Sequence, residues 1–204
     1  MPPARSPISG FLPSPGSRAR LLAGLSRPPE EAARFLLGQI IVRRMGRRLL
    51  AARIVETEAY LGTGDPAAHA FRGRTPRTEP LWGPPGTLYV YFVYGLHHCL
   101  NLAVDAAGVP GCVLIRAAEL LGSSHPGSCQ GPARLCRVLG LDTRLSGRWL
   151  FDPEVGLTLR EGRPPDQVGV SARVGIRRAV DWPLRFFDAE SPSVSRPRSP
   201  RQPM

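Results

Sequence analysis

The chain contains no lysine; all 27 of its Lys-plus-Arg positions are arginine. That absence removes every side-chain amine able to form a Schiff base with a sugar or carbonyl. The one amine left is the N-terminus, on Pro2 if Met1 is removed, in a stretch that reads as disordered. Arginine stays charged at all accessible pH and grips phosphate bidentately. Acid is also scarce, with 16 Asp plus Glu, so the net charge is +11 and the pI is about 11.0. Such a balance says nothing about fold. It points to a polyanionic partner, nucleic acid before an acidic membrane surface, with basic tails as the blander source of the charge. The four cysteines (Cys99, Cys112, Cys129 and Cys136) form no CxxC, and there is no secretory apolar segment. A reduced, intracellular protein is expected. Cys99 and Cys112 lie in apolar runs and read as buried small hydrophobes. No apolar run is long enough for a membrane span, and no internal repeat is present. The first acid is Glu30. That would suit an organelle transit peptide, but the proline content before it argues for a plain tail.

The 204 residues suit one domain with tails. Pro-, Ser- and Gly-rich stretches predict disordered tails over 1–20 and 191–204, with the domain over 21–190. RPPEEAARFLLG predicts a short helix: prolines at its start, Glu30 and Glu31 at its positive end, Gly38 at its stop. QIIVRR and LLAARIVETEAY around MGRR predict a hairpin. GTLYVYFVYGLHHCLNLAV predicts a second one, turning near Tyr94, Gly95 and Leu96. CVLIRAAEL reads as a strand, GPARLCRVLGL as a short helix, and VGVSARVGIRRAVDWPLRFFD as alternating, ending in an aromatic strand. The polar segment from Gly62 to Pro85 is too long for a simple connection and reads as a functional loop. The expected class is α+β: one mixed domain with a curved, mainly antiparallel sheet, short flanking helices and a protruding hairpin.

In strand geometry Glu56, Glu58 and Tyr60 share one face with Ile54, while Val55, Thr57 and Ala59 take the other. His69 follows closely. Glu58 on the rim of an apolar pocket can act as a general base toward water, although a surface carboxylate paired with an arginine would look the same. Glu56, Glu58, Asp65 and His69 are also metal-ligand types, but no ligand spacing supports a metal site, and no cofactor is expected. Tyr89 and Tyr91 share a strand face, where core packing is the ordinary role. Tyr94 sits at a hairpin tip, where small polar residues are usual. In a basic protein an exposed aromatic there suggests a wedge between base steps. Tyr60, His69 and Tyr91 could stack a planar base. Asn101 lies between two leucines on a strand, and Arg116 ends an apolar strand, from where it could orient Glu58 or a water.

The blocks ARFLLGQIIVRR, RIVETEAYLGTGDPAAHAFRGRTPR, PGTLYVYFVYGLHHCLN, CVLIRA, GPARLC and ARVG…WPLRFF resemble, in order, the alkyladenine (3-methyladenine) DNA glycosylase family, over about residues 28 to 187. The resemblance implies a monofunctional, metal-free hydrolase that flips alkylated or deaminated purines (3-methyladenine, hypoxanthine and ethenoadenine class) out of duplex DNA. It would begin base excision repair, as a monomer without a membrane partner. By position it implies Glu58 as general base, with Arg116 and the backbone carbonyl of Val174 holding the water. Tyr60, His69, Tyr91, Asn101 and Leu114 would line the base site, Asn101 screening out guanine by clashing with its amino group. Tyr94 would be the wedge; Arg77, Leu81 and Arg134 would contact DNA. The TEPLWGPP loop, the HHC after the hairpin tip and the short segment from Leu121 to Cys129 depart from the family's pattern. A non-catalytic nucleic-acid-binding module on the same fold, and a metal-dependent nuclease, are the rival readings. Glu56 receives no role beyond pairing with an arginine.

Overall fold

The computed structural model describes residues 11–93, 95–123 and 128–195. β1 (Ile40–Met45) and β2 (Arg48–Tyr60) form the first predicted hairpin, with Met45 opposite Arg48. β3 (Leu88–Val93) and β4 (His97–Val104) form the second, with Val93 opposite His97. Its tip holds Gly95 at φ 67°, a left-handed conformation that glycine adopts without strain. β5 (Gly111–Leu120) runs antiparallel between β4 and β2. Four short strands complete the sheet: β6 (Cys129–Gln130), β7 (Leu157–Arg160), β8 (Val168–Ser171) and β9 (Arg185–Asp188). The order is β3-β4-β5-β2-β1-β7, with β6 on β5 and β9 joining β2 to β8. With helices α1 (Pro15–Leu25), α2 (Pro29–Leu36) and α3 (Pro132–Val138), this is the expected α+β domain on an antiparallel sheet. No helix among the described residues is long and apolar enough to cross a membrane.

Alternation sorts the central strands into two faces. Leu88 and Val90, Leu100 and Leu102, Val113 and Ile115, and Ala59 join the main core, with Ala32, Ala33 and Leu36 of α2. Tyr89, Tyr91, Cys99, Asn101, Cys112, Leu114 and Arg116 take the other face and line a cavity. Thr57 ties the helix layer to the sheet, its hydroxyl donating to the Ala33 carbonyl at 3.0 Å. α2 starts on prolines with Glu30 and Glu31 in its first turn and gives way to Gly38 at φ 85°. A Cβ on Gly38 would lie 2.0 Å from the Arg163 carbonyl, so only glycine fits.

Strict alternation fails at one point in β2. The β2–β5 pairing passes from Ile54 opposite Ala118 to Glu56 opposite Ala117 and then Thr57 opposite Ile115. Val55 on β2 and Arg116 on β5 are each skipped. Such bulges change the phase of the side chains. Ile54 therefore joins Ala59 in the main core, contrary to the expectation that it lies under the acids. Val55 packs instead with Ala117 and Val194.

Secondary structure and burial extend into both segments expected to be tails. α1 begins at Pro15, capped by the Ser14 hydroxyl accepting from the Ser17 N–H at 3.3 Å, and buries Leu21 and Leu25. Serine and proline are also helix-starting residues, so their density there does not distinguish a tail from a cap. At the other end Ser191, Ser193, Val194 and Ser195 are buried.

Candidate active site

Register alone lines up the center of the site. Tyr89 lies opposite Asn101, Asn101 opposite Leu114, Leu114 opposite Glu58, and Glu58 opposite Arg185. One row thus crosses β3, β4, β5, β2 and β9. Above it opens a cavity of about 530 Å³, a size suited to a small planar ligand. Tyr60, His69, Tyr91, Asn101, Leu114 and Arg116 all line it, as do Arg77 and Val174.

Glu58 is fully buried and does not itself line the cavity; it lies behind Tyr60, Arg116 and Val174, which do. Its Oε2 accepts from the Tyr60 hydroxyl at 3.0 Å, and its Oε1 from the Val174 N–H at 2.7 Å. Arg116 Nη1 stands 3.3 Å from Oε1. Burial pushes the carboxyl above its ordinary value; Arg116, the Val174 N–H and Tyr60 oppose the shift without cancelling it. A carboxylate so placed holds a proton more readily than a solvated one. Val174 therefore meets Glu58 through its N–H, a contact not anticipated when its carbonyl was singled out.

Tyr60 is clamped on its face as well as its hydroxyl. The Arg173 guanidinium lies 4.6 Å from its ring centroid. Arg173 is itself buried against Asp65, bonding both carboxylate oxygens, and donates to the Ala59 carbonyl at 3.0 Å. Burial pushes the Asp65 carboxyl up, but Arg173 and the N–H groups of Ala67 and Leu61 outweigh it and hold it below its ordinary value. Burial, with Glu58 second, pushes the Tyr60 phenol far up, so it stays a donor.

Across the cavity His69 Nδ1 and the Tyr89 hydroxyl are 2.8 Å apart, and His69 meets Tyr91 edge-on at 4.6 Å between centroids. Burial and then Arg77 push the imidazole below its ordinary value, toward the neutral ring. Arg77 is exposed, with its guanidinium 5.8 Å from the Tyr91 ring centroid. Tyr89 is core, as its strand position suggested, yet its hydroxyl fixes a cavity wall. Asn101 is held at both ends: Nδ2 donates to the Tyr89 carbonyl at 3.2 Å, and the Cys112 thiol donates to Oδ1 at 4.0 Å.

The other candidates do not gather there. Leu81 is 1% exposed and packs with Ala70, Tyr89 and Cys112; the loop folds this leucine inward. Arg134 is exposed on α3, whose Pro132 and Ala133 reach the cavity. Tyr94 lies outside the described residues. Glu56 and Asp65 are taken up by arginines, and among the described residues no three His, Cys, Asp or Glu side chains converge as for a metal ion.

The sequence from residue 23 to 192 matches the family model described as methylpurine-DNA glycosylase. The chain belongs to that family. Its relatives include proteins named "Putative 3-methyladenine DNA glycosylase" from Synechococcus elongatus and Myxococcus xanthus. The first is 47% identical, covering 84% of this chain and 88% of the relative. The second is 44% identical, covering 84% and 90%. A third, from Frankia casuarinae, is 40% identical over 76% of this chain and 83% of its own. The chain is thus a DNA glycosylase, a hydrolase of DNA repair with DNA as its substrate.

The glycosylase also uses residues that sequence reasoning passed over. Arg173 directly precedes Val174 in ARVG, but nothing local signals that it pairs with Asp65, 108 positions away. Arg177 and Arg178 are exposed on the cavity rim, and the doubled arginine was a signal available in the sequence. Cys112 was read as a buried small hydrophobe; it is one, and it also holds Asn101.

Proposed function

We propose that this glycosylase draws an alkylated or deaminated purine out of duplex DNA into the aromatic cavity and hydrolyses its N-glycosidic bond with water activated by Glu58. The observation that carries the reading is the Glu58 carboxylate: buried, shifted up, and held directly behind the cavity lining by Tyr60, Val174 and Arg116, which line it. Cleavage of that bond builds positive charge on the sugar. A nearby carboxylate stabilises the charge while taking the water's proton. Tyr60, His69 and Tyr91 supply flat surfaces for the base. Asn101, tethered at both ends, cannot swing aside and so screens out a base carrying guanine's amino group. Arg77, Arg177 and Arg178 provide phosphate contacts at the rim. Tyr94 is assigned the wedge from its place in the sequence, between the two strands β3 and β4.

The relatives' printed name favours 3-methyladenine within this class; hypoxanthine and ethenoadenine fit the same chemistry. The absence of lysine favours hydrolysis without strand cleavage, by a monomer. The test is base release from duplexes carrying single lesions. Release of at least one such purine, with strand breaks only after alkali, is expected from the wild type and is lost in Glu58→Gln, while DNA binding persists. Unchanged release by Glu58→Gln would remove Glu58 from its role, and breaks without alkali would refute the hydrolytic reading.

A further inference from the structure

We propose that Ser195 is a positioning residue of the glycosylase, orienting Arg116 toward Glu58 through Glu56. The proposal rests on the reading of Glu58 as base. Ser195 lies beyond the residues matched by the family model, which end at 192. It is 6% exposed and commits all of its polar groups to one buried cluster. Its N–H donates to Glu56 Oε2 at 2.7 Å and its hydroxyl to Glu56 Oε1 at 2.8 Å. The same hydroxyl accepts from Arg116 Nη2 at 3.4 Å, and its carbonyl accepts from Arg185 Nη2 at 3.0 Å.

The geometry of Arg116 shows what this accomplishes. A guanidinium is planar and presents its donors in fixed directions. Nε of Arg116 is bound to Glu56 at 2.9 Å and Nη2 to Ser195, which leaves Nη1 at 3.3 Å from Glu58 Oε1. Two anchors on one side of the plane thus determine which nitrogen faces the general base. Glu56 is itself pinned, because Ser195 binds both of its oxygens and Arg185 Nε binds Oε1 at 2.6 Å. Without the Ser195 hydroxyl, Glu56 keeps one Ser195 bond through the backbone and Arg116 loses one anchor. The guanidinium is then free to turn about the Nε contact.

This predicts a signature that a purely structural residue lacks. The groups facing Glu58 are Tyr60 and Glu56 from its own strand, Arg116 from β5, the Val174 N–H, Arg173 behind Tyr60, and Cys99 from β4. Of these, Arg116 is the strongest influence favouring the ionised carboxylate. If it loosens, burial dominates further. The acid limb of the rate profile, where Glu58 loses its proton, then moves to higher pH.

The experiment measures single-turnover base release across pH from a duplex carrying hypoxanthine or ethenoadenine, whichever the wild type releases. Ser195→Ala and the better-packed Ser195→Cys should slow release roughly fivefold near neutrality and move the acid limb upward. Ser195→Thr, which keeps the hydroxyl, should restore both. Ser193→Ala is the control in the same segment: its buried hydroxyl has no hydrogen-bond partner among the described residues, and its profile should match the wild type. Unchanged rates in Ser195→Ala and Ser195→Cys, or a fall by one factor at every pH, would overturn the proposal. Glu58→Gln in the same series separates the two readings. If it is inactive and Ser195→Ala behaves as wild type, only the positioning role fails. If Glu58→Gln still releases the base, the Glu58 reading fails and the role of Ser195 with it.

Discussion

Glu56 and Glu58 stand two residues apart on one strand, both fully buried, and they have opposite surroundings. Glu56 receives two arginines, one hydroxyl and one backbone N–H. Every direction around its carboxylate is filled, so it holds the floor of the site together. Glu58 has one phenol, one N–H and a single more distant arginine contact, and all three partners come from residues that line the cavity. The partners of Glu56 occupy both of its oxygens, whereas burial against fewer partners raises the Glu58 pKa and suits it to take a proton. Two glutamates in a T-separated repeat thus differ in what the rest of the chain places around them, and the proposed chemistry falls to the one with fewer partners.

The sharpest break of this comparison is Glu58→Gln. Loss of the general base should lower single-turnover release by roughly two to four orders of magnitude, with duplex affinity retained. Its effect on stability should run the other way. Folding raises the Glu58 pKa, so the stability this group contributes is present below its unfolded value and lost as pH rises through the folded one. At neutral pH the ionised form therefore costs stability, and Gln, which resembles the protonated acid, should melt no lower than the wild type. A clear loss of melting temperature at pH 7 would contradict the burial argument.

Glu56→Ala should do the reverse. It leaves Arg116 and Arg185 in the interior without their shared anion, a change that costs about 3–5 kcal/mol in comparable buried pairs. Urea denaturation reads it directly; an unchanged midpoint would show that Glu56 is not the anchor described. Tyr60→Phe is milder. It removes one donor to Glu58 Oε2, so the carboxylate is less stabilised, the acid limb moves to higher pH, and release near neutrality falls several-fold, about the worth of one hydrogen bond to a charged group. A profile superimposable on the wild type would detach Tyr60 from the base.

The sequence singled out Glu58 as a candidate because its neighbours form a recognisable local motif. It made the helix at Pro29, both hairpins and the α+β class legible through caps, turns and period-two patterning. Ile54 was misplaced because a bulge is an inserted residue, and the composition around Val55 does not announce one. The burial of Leu81 was not legible because a loop leucine can face either way until the loop folds. The pairings of Glu56 with Ser195 and of Asp65 with Arg173 span 139 and 108 positions. Such contacts follow from topology, which local spacing does not encode.

The smallest expected effect concerns the rim rather than the floor. Arg177 and Arg178 are exposed and border the cavity, unlike Arg116 and Arg185, whose charges are neutralised inside the protein. A rim arginine on a phosphate releases a counterion on binding, at a slope of roughly 0.9 per contact in log affinity against log salt. The double variant Arg177→Ala with Arg178→Ala should therefore flatten the salt dependence of duplex binding by about two units. It should weaken lesion-bearing and undamaged DNA alike, because phosphate contacts carry no sequence or damage information. At saturating enzyme the rate of base release should be unchanged, since neither side chain touches Glu58. A drop in that saturated rate, with the salt slope intact, would move these arginines from the rim into the chemistry and blur the division between floor and surface.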